Sequence, residues 1–183
     1  MASERRRHAL LLALLLPLLV AGSVYHTDEE ALALVFPGAT RVSSRSVALD
    51  DTARGQISAR VGYPIRERAV VLHEGWRGEE LLGRAYILEE IGKTLPFRFL
   101  VALHPDGTVD QVLLLTYREP RGFEIERDAF RQQYRGKSLA DPIRRGADIR
   151  NVSGATLSVD ALSRGVRRAL AIDEAIAHGG EGR

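Results

Sequence analysis

The clearest strand pattern in the chain lies between Phe97 and Tyr117. In the first part of this stretch, large apolar residues occupy every second position, the period of two that is typical of a β-strand: Phe97, Phe99, Val101 and Leu103. His104-Pro-Asp-Gly107 then supplies the residues of a tight turn. Val109–Tyr117 returns with apolar residues on both faces, as in a strand that is covered on both sides. We therefore expect a β-hairpin here, with His104 as a solvated turn residue.

A helix of about 19 residues is predicted near the C-terminus. From about Ser158 to Ile176, apolar residues recur every three or four positions, which indicates an amphipathic helix with Ser158 as its N-cap. On this helix Asp160 and Arg164 are spaced to form an ion pair, and the row of arginines is expected to face solvent. Gly165 is expected to mark a point of close packing, since glycine disfavours a helix interior.

The rest of the chain gives shorter elements. Thr27-Asp-Glu-Glu30 is a capping-box pattern and predicts a helix from about Asp28 to Phe36. Strands are expected at Ala69–His73 and Leu81–Glu89, and the weak signals at 39–67 indicate turns between short strands. Together these elements predict an α+β fold, a single domain with a largely antiparallel sheet flanked by helices.

The N-terminus has the pattern of an export segment. Arg5-Arg6-Arg7 precede an apolar run from Ala9 to Gly22, followed by small residues. Residues 1–25 are therefore predicted to be a signal peptide or an uncleaved membrane anchor, and residues 26–183 to be the folded domain. Both alternatives place the domain on the periplasmic or extracytoplasmic side of the cytoplasmic membrane, because arginines stay in the cytoplasm.

Composition excludes several kinds of chemistry. The 183 residues contain no cysteine, which rules out disulfides, thiolate catalysis and iron–sulfur ligation. Removing Glu4 and the three arginines of the leader takes the formal charge from +2 to about zero, and no basic stripe indicates nucleic-acid binding. No His/Asp/Glu cluster has the spacing of a metal site, and neither a hydrolase elbow nor a Rossmann or P-loop glycine pattern occurs. We predict no catalytic residue of the chain's own.

Ser153-Gly-Ala-Thr156 is the most chemically suggestive stretch. Gly154 permits a positive φ angle, and the helix that follows has an N-terminus suited to an anion such as a phosphate. A capped turn without any ligand remains the alternative. No histidine lies near Thr156 in the sequence, so attaching a phosphoryl group to its hydroxyl requires an external catalyst.

This motif resembles the flavinylation motif of the FMN-binding domain family, which includes the flavin subunits of sodium-translocating NADH:quinone reductase and its Rnf-type relatives. The resemblance implies that Thr156 carries FMN through a phosphoester bond, installed by a separate FAD-dependent flavin transferase. The neighbouring residues Ser153, Gly154, Ala155, Leu157 and Ser158 then form the rest of the cofactor site. Electron exchange with membrane redox partner proteins, and hence membrane association, is also implied.

A second segment carries part of the same resemblance. Tyr117-Arg-Glu-Pro-Arg-Gly-Phe123 is similar to the family's loop in which an acidic residue precedes a proline and a glycine beside the flavin, and Glu119 matches that acid. The family's threonine-proline-glycine run is not intact here. Lys137 also matches the family's spacing and could pair with a phosphate, although an exposed loop lysine is the simpler interpretation.

One departure from the family pattern keeps other functions open. The family has an aspartate three residues before the first residue of the motif, and Arg150 stands there, with Asp148 two residues upstream. Either Asp148 takes that role, or recognition by the transferase is altered, or covalent flavin is absent. The alternative functions are therefore a noncovalent FMN-binding protein and a flavin-free binding or scaffold module of a membrane redox complex.

Overall fold

The computed structural model describes residues 23–180, so the predicted export segment lies almost entirely outside the described residues. Six strands form one antiparallel sheet in the order β1-β6-β5-β4-β3-β2. Their bounds are β1 Ser23–Val24, β2 Arg41–Ala48, β3 Ala69–Arg77, β4 Glu80–Ile91, β5 Pro96–Leu103 and β6 Val109–Tyr117. The helices are α1 Asp28–Val35, α2 Asp51–Val61, α3 Asp128–Arg131 and α4 Thr156–Gly180, with 3₁₀ turns at Phe123–Glu126 and Gln132–Tyr134. The predicted α+β class with a largely antiparallel sheet is confirmed.

Strand β5 explains how the two faces of the sheet are covered. Phe97, Phe99, Val101 and Leu103 belong to the larger core, which includes residues of α2 and α4. The intervening Leu100 and Ala102 belong to a smaller core that includes residues of α1. Strand β6 is buried on both faces in the same way, as its sequence predicts.

The capping box of α1 forms as expected. The amide of Glu30 donates to Thr27 Oγ1 at 3.2 Å, and the Thr27 amide donates to Glu30 Oε2 at 2.8 Å. These two bonds satisfy amides at the start of the helix that have no partner within it.

The segment between β2 and β3 was predicted wrongly as turns between short strands. Residues 51–61 form helix α2, with Asp50 as its N-cap, accepting from the Ala53 amide at 2.8 Å. Gly62 ends the helix with a left-handed φ of 84°. The turn-forming residues in this sequence are therefore helix caps, and the helix buries only Ile57 and Val61, too few to give a helical period.

Helix α4 differs from its prediction in two respects and agrees with it in a third. Asp160 pairs with Arg145 at 2.9 Å and Arg164 with Glu90 at 3.5 Å, so the expected pair within the helix is wrong. Arg168, far from being solvated, is 11% exposed in its side chain and bonds to Glu67 and Glu90. Gly165 is confirmed as a close contact, because a Cβ atom there would lie 2.9 Å from Cε2 of Phe99.

No helix within residues 23–180 combines the length and hydropathy required to cross a membrane.

Candidate functional site

A cleft of about 340 Å³ opens at the end of the sheet where β4 and β6 end. It is lined by the turn after β4, the loop after β6 and the first turn of α4. The lining residues are Lys93, Glu119, Pro120, Arg121, Gly154, Ala155, Thr156, Leu157 and Ser158. The fold therefore brings together the two segments that carry the sequence resemblance, although 34 residues separate Glu119 from Ser153. The cleft is within the size range of small-molecule sites, which is about 300–1,000 Å³.

The motif itself forms a tight turn that leads into α4. The Ala155 amide donates to the Val152 carbonyl at 3.0 Å, and Gly154 within this turn has a φ of +80°. A Cβ atom on Gly154 would meet nothing within 4 Å, so backbone conformation, not crowding, demands glycine here. Ala155 is buried, whereas Ser153 and Gly154 are exposed and Thr156 is partly exposed.

The first turn of α4 lacks a side-chain cap. The Val159 amide donates to the Ala155 carbonyl at 2.9 Å, so the helix begins at Thr156. None of the hydrogen bonds among residues 23–180 uses the amides of Thr156, Leu157 or Ser158 as donors into the protein. Three backbone amides at the positive end of a helix of 25 residues are therefore available as donors, and all three residues line the cleft.

Ser158 is not the N-cap that the sequence predicts. It lies in the third position of α4, is buried, and its hydroxyl is 2.8 Å from the hydroxyl of Tyr117. Tyr117 in turn donates to the Arg121 carbonyl at 2.8 Å. Burial raises the pKa of Tyr117 above its usual value, so the phenol stays protonated and can donate. This chain of hydrogen bonds ties the end of β6, its loop and the start of α4 together.

Glu119 organises the neighbouring turn. Its Oε1 atom accepts from the amides of Thr94 at 2.6 Å and Leu95 at 2.8 Å, and Oε2 accepts from the Thr94 hydroxyl at 3.2 Å. Burial alone would raise the pKa of Glu119, but these donors outweigh it and hold the pKa below its usual value. The carboxylate is therefore ionised and occupied, which makes it a poor base for Thr156.

Two glycines let these segments approach closely. A Cβ atom on Gly122, where φ is +87°, would lie 2.7 Å from the Tyr117 hydroxyl and 2.8 Å from Cβ of Ala155. A Cβ atom on Gly92 would lie 3.1 Å from the Ser158 hydroxyl and 3.2 Å from Oε1 of Glu119. A larger residue at Gly92 or Gly122 would therefore force the neighbouring segments apart.

Two cationic side chains also line the cleft. Lys93 and Arg121 are exposed, and no hydrogen bond or ion pair found in the described part of the chain uses either side-chain cation. Sequence reasoning did not select them. Each lies beside a turn, and only the folded structure shows that these two turns are neighbours.

The residues upstream of the motif have structural contacts. Lys137 was interpreted as an exposed loop lysine, but its side chain is only 16% exposed and its Nζ atom lies 2.8 Å from Asp148. Asp148 also accepts from the amides of Ile143 and Arg144, and these donors and Lys137 lower its pKa despite the opposing effect of burial. The Arg150 amide and Nε both donate to Gln133. None of these three upstream residues lines the cleft.

The single tryptophan and two histidines of the folded domain lie away from the cleft. Trp76 is in β3 at the far end of the sheet, where Arg41 lies 5.3 Å from its ring centroid. His73 contacts the Ser44 hydroxyl at 2.7 Å, and His104 is 3.5 Å from Asp110. Within residues 23–180, no three His, Asp or Glu side chains are grouped to hold a metal ion.

Comparison with known proteins agrees with this geometry. Residues 92–171, from the turn after β4 into α4, match the model of the FMN-binding domain family and include every residue that lines the cleft. The crystal structure of Shewanella oneidensis NqrC shares the fold, with a TM-score of 0.54 and 15% identity over 83% of this chain and 90% of that chain. No curated protein sequence matches the chain. The resemblance to the FMN-binding domain family is thereby confirmed over residues 92–171.

Proposed function

We propose that this protein is an extracytoplasmic electron carrier that holds FMN in the cleft, joined to Thr156 through a phosphoester bond. The main support is that the motif around Thr156, the carboxylate of Glu119 and the cations of Lys93 and Arg121 all line one cleft. Electron transfer within a membrane redox system is what the family resemblance implies, and a chain without cysteine requires an organic cofactor for it. When bound, FMN would accept and release the electrons.

The chemistry of the cleft fits the two parts of FMN. The free amides of Thr156, Leu157 and Ser158, together with Lys93, offer positive charge to a phosphate, as helix N-termini and lysines do in other proteins. Leu157 and Pro120 offer apolar surface to a ring system. Glu119 keeps the turn of Thr94 and Leu95 in place, which fixes the position of Lys93.

The covalent bond requires a separate enzyme in this proposal. The Thr156 hydroxyl would form an O–P bond to the FMN phosphoryl group of FAD, while the bond to AMP breaks and AMP leaves. Among the residues that line the cleft, Glu119 is the one acid, and its carboxylate is already bound by three donors. Removal of the threonine proton therefore falls to a base of the flavin transferase.

The test is coexpression with a flavin transferase, followed by denaturing electrophoresis and in-gel flavin fluorescence. We expect fluorescence from the wild type and from Thr156→Ser, which keeps a hydroxyl, but none from the isosteric Thr156→Val. Ser153→Ala is the matched control, because it removes the other exposed hydroxyl of the motif, and it should remain fluorescent. Equal labelling of wild type and Thr156→Val would refute the linkage.

The same samples separate the alternative functions. Noncovalent binding predicts a yellow native protein that loses its colour on acid precipitation, and a flavin-free module predicts a protein that is colourless throughout. Extracytoplasmic placement predicts that alkaline phosphatase fused after residue 183 is active in cells, whereas a cytoplasmic domain would leave the fusion inactive.

A further inference from the structure

Exposed apolar side chains are concentrated around the cleft. Seven large apolar residues are exposed in the described part of the chain, and four of them lie at the cleft end of the sheet. We call these four the apolar rim: Val24 at 65% exposure, Ile91 at 61%, Phe123 at 51% and Leu157 at 51%. Single exposed apolar residues are ordinary, but a group of them beside a cleft marks an interaction surface.

The members of the rim lie at the same end of the sheet. Ile91 precedes Gly92, where a Cβ atom would approach Ser158, and Phe123 follows Gly122, where a Cβ atom would approach Ala155. Leu157 lines the cleft directly. Val24 pairs with Thr116 in β6, one residue before that strand ends.

Three exposed cations lie around the rim, together with the exposed carboxylate of Glu89 and the partly exposed Glu124. Lys93, Arg118 and Arg121 are exposed at this end, and no ion pair or hydrogen bond among residues 23–180 engages their side-chain cations. The neighbouring carboxylate of Glu119 is bound by Thr94 and Leu95. Apolar residues with adjacent free cations are the combination that binds the surface of an anionic membrane.

The direction of the chain gives a second, independent reason. Ser23 pairs with Tyr117, so the polypeptide enters the fold at the cleft end. The apolar run of the predicted signal peptide or anchor ends at Gly22, and two residues of extended chain to Val24 span at most about 7 Å. An anchor in that position holds the rim against the bilayer surface and not at the opposite end of the sheet.

We propose that the apolar rim and its three cations rest on an anionic lipid surface, so that the cleft opens at the membrane. This contact rests on the cofactor cleft of the proposed function and on the uncleaved-anchor alternative for residues 1–25. It places a cofactor in the cleft beside partners embedded in the same bilayer, and it explains why exposed Ile91 and Phe123 flank the cleft.

The absence of cysteine from the chain allows a direct test by single-cysteine labelling. Ile91→Cys and Phe123→Cys would each carry an environment-sensitive fluorophore, in the full chain reconstituted into vesicles that contain brominated lipid. Val42→Cys and Val71→Cys are the matched controls, since these valines are 41% and 48% exposed in β2 and β3, away from the cleft. We expect quenching and a blue shift at 91 and 123 in vesicles with phosphatidylglycerol, and neither at 42 and 71.

Replacing Lys93, Arg118 and Arg121 together by glutamine should abolish the difference between anionic and neutral vesicles. If positions 91 and 123 are quenched no more than the two control positions in anionic vesicles, the membrane contact is refuted, and a protein partner would be the occupant to seek. The measurement is made in the wild type and in Thr156→Val. A flavinylated protein without quenching overturns only the membrane contact, whereas quenching without any flavinylation overturns only the proposed linkage.

Discussion

In the middle of helix α4, Asp173 and Ser163 are buried and hydrogen-bonded, whereas the first turn of the same helix leaves three amides open beside a cleft. Asp173 accepts from Arg84 at 2.6 and 2.8 Å and from the Tyr86 hydroxyl at 2.8 Å. Ser163 meets the Tyr134 hydroxyl at 2.9 Å. These contacts join α4 to β4 and to the turn at Gln132–Tyr134.

The first turn differs because its one buried hydroxyl bonds to a residue of the sheet and not to a backbone amide of the helix. Ser158 lies within this turn and bonds to Tyr117, which holds the turn against β6, while no side chain caps the start of the helix. One helix thus separates stability from binding. The buried polar side chains in its middle have hydrogen-bond partners within the protein, whereas the backbone amides of its first turn remain available to a ligand. Substitutions in the two regions should therefore change different properties.

The largest expected loss of stability comes from Asp173→Ala. It leaves the Arg84 guanidinium and the Tyr86 hydroxyl without their shared acceptor, and breaking a buried ion pair in this way costs about 3–5 kcal/mol. The adjacent Glu174→Ala is the control, because Glu174 pairs with the largely exposed Arg60, and such surface pairs are worth about 0–1 kcal/mol. Denaturant unfolding at neutral pH measures both. Equal losses would mean that Asp173 does not hold the middle of α4.

A smaller loss is expected from Gly165→Ala. The new methyl group would collide with the ring of the buried Phe99, and overpacking of this kind costs about 1–3 kcal/mol. Gly55→Ala is the matched control within α2, where an added Cβ atom meets nothing within 4 Å and should stabilise the helix by about 1 kcal/mol. Opposite signs of the two changes in unfolding free energy support the packing argument, and a stabilising Gly165→Ala would refute it.

Glu119→Gln should have a modest effect that depends on pH. The folded-state pKa of Glu119 is lowered, so the carboxylate stabilises the fold above its unfolded pKa of about 4.3, and this contribution disappears as the pH falls through the folded value. We expect a loss of about 1 kcal/mol at pH 7 that vanishes in strong acid. The measurement is unfolding across pH 3–7.

Glu89→Gln serves as the control for that pH series. Glu89 is an exposed carboxylate near the end of β4, and no described hydrogen bond or ion pair uses its side-chain oxygens. Its replacement should change the unfolding free energy little at any pH. A Glu119→Gln profile that runs parallel to the wild type at all pH values would show that the amide contacts of Glu119 contribute nothing.

The sequence predicted elements whose signals are local. The alternation from Phe97 to Leu103 and the capping box at Thr27 each lie within a few residues, and both appear in the structure. Helix α2 was missed because it buries only Ile57 and Val61 and contains Gly55, so neither its period nor its propensity identifies a helix. Its caps, Asp50 and Gly62, resemble ordinary turn residues.

The sequence does not show which side chains from distant segments form hydrogen bonds or ion pairs with each other. Ser158 has the chemistry of an N-cap, but the helix begins two residues earlier, and the Ser158 hydroxyl bonds to Tyr117, 41 residues away. Asp160 likewise bonds to Arg145 and not to Arg164. The motif and Glu119 were identified from resemblance, whereas Lys93 and Arg121 became candidates only when the fold showed which turns are neighbours.

The smallest effect on stability is expected from the substitution that should affect function most, at Thr156. Thr156→Val replaces one partly exposed hydroxyl at the start of α4, and we expect its unfolding free energy to stay within about 0.5 kcal/mol of the wild type. Flavin attachment should nevertheless be lost completely. A large loss of stability in this variant would contradict the separation of roles between the two regions of α4.

The most direct test of the central claim is peptide mass spectrometry of the protein coexpressed with a flavin transferase. Trypsin cuts after Arg150 and Arg164, which releases Asn151–Arg164 with four hydroxyl residues, Ser153, Thr156, Ser158 and Ser163. The account predicts that this peptide gains the mass of FMN less one water, and that fragmentation assigns the gain to Thr156. An unmodified peptide, or a gain assigned to Ser153, would contradict it.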